Sequence, residues 1–271
     1  MDTNITPSTA VTVAEILHRY ERDCMSELAP RTQIDYGRCV VRLRQTFGHL
    51  VATEMQPKDF ADFINVKRGK VYRVKQLAVL SAALTQAVSF WYWIPRNVLR
   101  DVARPKFRPR DRLVTAEEFA AVRAMAPYRI QLAMDLAVMT GQRQGDLLSL
   151  KWSAIKAMEI HLERLAIAIT PDLEAVLDKC WQLPSRGLYV LSPRRGGDQY
   201  TGEGFRATWQ RNMRKYVARG GIRFTFHDLR ALAATRCATP EIAMRLLGHT
   251  NIAMTMRVYR RGVERVTALG L

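Results

Sequence analysis

Phe224–Arg236 reads FTFHDLRALAATR, and two other stretches gain meaning beside it: Thr140–Leu150, TGQRQGDLLSL, and Leu246–Arg260, LLGHTNIAMTMRVYR. In the first, His227 and Arg230 stand three apart and share one face of a helix. Leu229 and Leu232 anchor the other face, and Phe224 and Phe226 precede them in a strand-like alternation. In the second, Gly141 interrupts a helical run and Arg143 opens the next one, where free backbone N–H groups favour an anion; Leu147, Leu148 and Leu150 anchor that helix. In the third, Gly248 ends a helix as a C-cap glycine does, His249 follows, and Tyr259 comes ten residues later. A guanidinium grips two phosphate oxygens at once, which lysine cannot match. A phenol titrates near pH 10 and becomes nucleophilic only beside cations or a base. One tyrosine among two arginines and two histidines therefore suits attack on a phosphodiester, with the partners holding the charge that develops on phosphorus.

Working outward, Val11–Met25 carries an apolar stripe at helical spacing (Val13, Ile16, Leu17, Tyr20), and Thr32–Phe47 carries another (Ile34, Val40, Val41, Leu43, Phe47) that ends at Gly48. Pro57 suits the first turn of a helix over Lys58–Val66, and Val71–Trp93 reads as a long fourth helix whose aromatic end, FWYWIP, is assigned mostly to the core. Arg96–Arg112, RNVLRDVARPKFRPRDR, holds seven Lys/Arg and two Pro. Proline blocks helix continuation and the charges favour solvent or phosphate, so residues 101–112 read as an interdomain linker crossing a DNA backbone, with Arg104, Lys106, Arg108, Arg110 and Arg112 as contacts. Thr115 and Glu118 form a capping box. Helices are expected over Tyr128–Thr140, Gln142–Leu150, Pro171–Trp181, Glu203–Arg219, His227–Cys237, Pro240–Leu247 and Ile252–Tyr259, with a short hairpin over Ile160–Ile169. The expected fold is mainly α with a small antiparallel β-sheet.

The chain has 271 residues, 48% of them hydrophobic, and a formal net charge of +17. That length suits two modest domains with packed cores, and the spread of positive charge points to a polyanion, nucleic acid ahead of a membrane surface. No apolar run reaches the ~18 residues of a membrane span, and the N-terminus lacks a secretory pattern. Cys24, Cys39, Cys180 and Cys237 stand far apart with no C-x-x-C pair, as in a reduced cytoplasmic setting. The histidines have no metal-ligand spacing, so no metal and no cofactor is expected.

The set Arg143, His227, Arg230, His249 and Tyr259 resembles the tyrosine recombinases of the phage integrase family, over roughly residues 10–265. TGQRQGDL matches the segment of the family's first catalytic arginine, with Asp146 in the place of an acidic residue that orients its neighbours. His227-x-x-Arg230 matches the second clamp, and LLGH the position that contacts the scissile phosphate. The resemblance implies a helical core-binding (SAM-like) domain over residues 1–100 and a catalytic domain over 113–271, closing as a clamp on duplex DNA. It also implies a site-specific recombinase or integrase of mobile-element type, acting in the cytoplasm of a bacterial or archaeal cell and on the nucleoid when bound to DNA. Such an enzyme cleaves through a 3′-phosphotyrosyl link and needs no ATP. Its implied partners are DNA recombination sites, a homotetramer on two duplexes exchanging strands through a Holliday junction, and accessory DNA-bending or directionality proteins.

One element departs from the family pattern. The family carries a general-acid lysine on the tip of a β-hairpin, and EIHLERLAIAIT has none. Its turn, Glu163-Arg164, lacks the Gly or Asn that two-residue turns favour. Lys151 and Lys156 precede the hairpin, and Arg164, the nearest cation, is a poor proton donor. Two alternatives follow: a DNA-binding module of the same fold impaired in recombination, or a relaxing enzyme of the type IB topoisomerase kind.

Overall fold

A computed structural model describes residues 10–66, 69–105, 107, 112–163, 165–184, 187–193 and 199–259, with the backbone alone at 257–259. The chain divides into two compact units, 1–109 and 110–271. The division falls inside the stretch 101–112. Among the described residues the protein is mainly helical with a single three-stranded antiparallel sheet, and no helix is long and apolar enough to cross a membrane.

The first unit packs four helices: α1 (Val13–Asp23), α2 (Pro30–Phe47), α3 (Lys58–Asn65) and α4 (Lys70–Ser89). Thr12 and Glu15 cap α1 reciprocally, and Val13, Ile16, Leu17 and Tyr20 are buried as their spacing requires. On α2 the stripe is narrower than expected. Val40, Leu43 and Phe47 are buried, but Ile34 and Val41 face solvent, because they lie outside the arc that α1 and α4 cover. Helix α4 also stops four residues short of Trp93. Its end is closed by the Trp91 and Trp93 N–H groups, which donate to the Gln86 and Ala87 carbonyls, and Tyr92 adopts φ 54°. Contrary to a core assignment, Phe90 and Tyr92 are exposed and Trp91 and Trp93 only half-buried. The two indoles take the Arg19 guanidinium of α1, each 4.6 Å from a ring centroid, a cation–π contact.

The second unit is built on α6 (Tyr128–Thr140), whose Ile130, Leu132, Ala133, Met134, Leu136 and Ala137 are all buried. A helix apolar on every side belongs at the centre of a core. Against it pack α5 (Ala116–Met125), α7 (Gln144–Ser149), α8 (Pro171–Trp181) and α10 (Asp228–Thr235). Thr115 and Glu118 cap α5 as expected. Helix α9 (Gly202–Ala218) packs on α5, while α11 (Pro240–Leu247) and α12 (Ile252–Tyr259) pack on α10 and on each other. The sheet runs β1 (Ile155–Lys156), β2 (Glu159–Leu162) and β3 (Leu165–Ala168), in that order. The β2–β3 register pairs Ile160 with Ile167 and Leu162 with Leu165, which confirms a hairpin over Glu163-Arg164; Arg164 itself lies outside the described residues. Strand β1 was not expected. It reaches β2 through Ala157-Met158, both left-handed at φ 49° and 61°, in a turn that ordinarily selects Asn or Gly. Phe224 and Phe226 are buried without forming a strand, Phe226 lying in the turn that leads into α10, and both are held by edge-on ring contacts with Trp209 and Phe205.

A candidate active site at the ends of four helices

Gly141 closes α6 in the left-handed region at φ 64°, and a Cβ there would stand 3.0 Å from Leu247 Cδ2 and 3.3 Å from Leu246 Cγ. Only glycine satisfies both conditions, so the chain turns here tightly against the end of α11. Arg143, two residues on, is the N-cap of α7, with its side chain 56% exposed and 4.0 Å from Asp146.

Arg230 reaches the same place from α10 but is buried, at 5% exposure. Its guanidinium donates to the Gly141 carbonyl at the end of α6 and to the Leu247 carbonyl at the end of α11. Burial, and then the neighbouring Arg143 charge, bring its pKa down to about 10, against a smaller opposing pull from Asp146. His227, exposed, is the N-cap of α10. Gly248 ends α11 at φ 58°, and the His249 N–H donates to the Met244 carbonyl. The His249 ring contacts Thr255 on α12 through Nδ1, at 2.9 Å, which leaves Nε2 for the site. Thr255 is wholly buried, and Tyr259 lies one turn further along α12, with its side chain outside the described residues.

Burial lowers the His249 pKa, and the charges of Arg230, Arg143 and His227 lower it further, in that order. Those electrostatic contacts show that Arg143, His227, Arg230 and His249 share one neighbourhood, although up to 106 positions separate them in sequence. At neutral pH His249 is thus held toward its uncharged form while the two arginines keep their charge. The arrangement is a concentrated positive field around a neutral ring, suited to a phosphate group.

Sequence reasoning passed over Gln142. This buried side chain donates from Nε2 to the Thr140 and Leu246 carbonyls, each at 2.9 Å. It ties the loop that carries Arg143 to the helix end that carries His249, and no local pattern announces a partner 104 residues away. Gln142→Met keeps the side chain's length and removes both bonds. We expect roughly 1–3 kcal/mol lower stability in a thermal melt and about 10- to 100-fold slower DNA cleavage; wild-type cleavage would show that the loop is held by other contacts.

Two of the five linker residues are described. Arg104 is exposed, whereas Arg112 pairs with Glu118 and donates to the Leu113 and Ile222 carbonyls. Lys106, Arg108 and Arg110 lie outside the described residues.

The family model described as the phage integrase family matches residues 112–264. The chain is 29% identical to the integrase of Escherichia phage HK022, over 94% of this chain and 78% of that protein. It is equally identical to the integrase of Escherichia phage lambda, over 96% and 79%. Among solved structures it is similar to a lambda integrase tetramer bound to a Holliday junction, at TM-score 0.83 and 26% identity over 97% of this chain and 81% of that one. It is also similar to a lambda integrase dimer bound to a COC′ core site, at TM-score 0.82 and 25% identity over 96% and 100%. The integrase of the Tn1549 transposon shares the fold at TM-score 0.77 and 17% identity, over 95% of this chain and 96% of that one. The charged cluster and these likenesses meet on one conclusion: the chain belongs to the phage integrase family and is a site-specific recombinase.

Proposed function

We propose that this recombinase cleaves and rejoins DNA through a 3′-phosphotyrosyl intermediate with Tyr259 as nucleophile. The observation that carries the reading is the shared electrostatic neighbourhood of Arg143, His227, Arg230 and His249, tied through Thr255 to the helix that ends in Tyr259. Arg230 and Arg143 clamp the non-bridging oxygens. His249 Nε2 adds a hydrogen bond, and Asp146 steadies Arg143. His227, exposed at the mouth of α10, accepts the tyrosine proton. Charge gathers on phosphorus in the transition state, and each placed donor contributes roughly 3 kcal/mol there. The phosphotyrosyl bond conserves the energy of the broken one, so rejoining needs no nucleotide.

The substrate is double-stranded DNA at paired recombination sites. The helical unit and the basic stretch with Arg104, Lys106, Arg108, Arg110 and Arg112 bind the duplex backbone, which makes binding steeply salt-dependent. Four copies on two duplexes exchange strands through a Holliday junction, in the cytoplasm where the element's DNA resides. The lambda integrase tetramer on a Holliday junction supports this reading.

The test is covalent trapping on a duplex selected from a random-sequence pool by its binding to the protein. The selected duplex is nicked in steps around its centre, so that the released 5′ fragment diffuses away and even slow cleavage accumulates. A protein–DNA band that survives denaturation is the expected result. Tight binding without such a band at any nick position would leave a DNA-binding module.

A further inference from the structure

Strand cleavage leaves a chemical demand that the phosphate-binding cluster does not meet. When the bond from phosphorus to O5′ breaks, the departing oxygen is a strongly basic alkoxide, and a positioned acid eases its departure. A guanidinium does not give up its proton at these pH values, and His249 is held toward its uncharged form.

Beside Arg143 the catalytic unit opens into a pocket of ≈ 500 Å³, lined by Arg143, Asp146 and Gly248 and also by His161 and Glu163 of the β2–β3 hairpin. His161 stands on β2 directly across from Ala166 of β3, so the neighbouring strand sets only a methyl group beside the imidazole. The ring is about half exposed, and its Nε2 lies 3.4 Å from Glu159 Oε2 on the same face of the strand, a contact that orients it. The β3 ladder fixes the backbone beneath it, and β1 pairs with the two preceding residues, Glu159 and Ile160. Imidazolium is the side-chain acid that exchanges a proton around neutral pH. The pocket's other nitrogen acid is Lys151, which its place before the hairpin had set aside. Its Nζ lies 5.8 Å from the Tyr189 ring centroid, over an aromatic face that holds a cation.

Resting on the phosphotyrosyl reading, we propose that His161 is the general acid of strand cleavage, taking the place of a hairpin lysine. Tyr259 Oη bonds to phosphorus as the bond to O5′ breaks. The electron pair of the broken bond stays on O5′ and takes the proton of the His161 imidazolium, while the phenol proton passes to His227. On rejoining, the incoming 5′-hydroxyl returns its proton to His161, the phosphotyrosyl bond breaks, and His227 hands its proton back to the tyrosine.

The experiment compares two nicked duplexes, one natural and one with sulfur in place of the bridging 5′-oxygen at the cleavage point. A thiolate is a weak base and leaves without a proton. His161→Ala and His161→Gln are each expected to cleave the natural duplex about 10²- to 10⁴-fold more slowly than wild type. On the sulfur duplex both should recover to within about threefold, with unchanged melting temperatures. Equal losses on both duplexes would overturn the proposal, as would no loss on the natural one. Sulfur rescue confined to Lys151→Ala would overturn it and move the role to Lys151. Tyr259→Phe must stay inactive on both duplexes. If wild type forms no covalent complex on either, the phosphotyrosyl reading itself fails and takes this assignment with it.

Discussion

Tyr259→Phe is expected to bind its recombination site with wild-type affinity and to form no covalent complex. The substitution removes one oxygen. The ring and the rest of the chain are kept, so binding should remain, but nothing is left to bond phosphorus. The loss is therefore of the whole reaction, about 10⁴-fold or more in rate, as when a nucleophile is deleted elsewhere. Electrophoretic shift under native conditions measures the first quantity and a denaturing gel the second. Among the other tyrosines of the second unit, Tyr216 is buried and Tyr200 turns its hydroxyl to Thr208. A surviving covalent band in Tyr259→Phe would overturn the assignment, and Tyr189, beneath Lys151, would be the next residue to substitute.

Arg230→Ala is expected to fail twice over, and the comparison with Arg143→Ala separates the two failures. Arg230 donates to the Gly141 and Leu247 carbonyls from a buried position. Removing it strips a charge from the phosphate clamp and leaves two helix-end carbonyls without their donor. At roughly 1–3 kcal/mol for each unsatisfied acceptor, offset in part by relief of the repulsion from Arg143, we expect a destabilisation of about 2–4 kcal/mol. Cleavage should fall by about 10²–10³-fold or more. Arg230→Lys rescues little, since one ammonium cannot span both carbonyls and a phosphate. Arg143 is 56% exposed and makes no such tie among the described residues, so Arg143→Ala should lose a similar factor in cleavage with an almost unchanged melting temperature. Equal melting temperatures for the two alanine variants would contradict the strut that the geometry describes.

What could be read ahead of the structure was what local rules control. The capping box at Thr115 depends on four consecutive residues and was legible. So were the glycines at 141 and 248, since a helix end needs a left-handed residue and few others supply one. Arg143 and His249 sit at such breaks and His227 at a helix start, which is why the candidate set stood out. The misreadings are where a distant partner decides. The run Phe90–Trp93 continues a helical apolar pattern, yet the chain turns there and Arg19, some seventy residues earlier, lies over both indoles. Ile34 and Val41 fit a stripe that no neighbour covers. Gln142 finds Leu246 only after α6, α10 and α11 have packed. The turn at Ala157-Met158 carries neither residue type that would announce it.

The manner in which Arg230 is held bears on how strongly it acts. Its two protein acceptors are neutral carbonyls at the ends of α6 and α11, where helix dipoles gather partial negative charge. Among the described residues no carboxylate forms an ion pair with it. Two dipole ends fix the guanidinium without neutralising it. Among the described residues the guanidinium is therefore held by dipoles and not by a paired carboxylate, so an arriving phosphate displaces no such partner there. Inorganic phosphate and sulfate should accordingly compete with DNA at this position more effectively than chloride does at equal ionic strength.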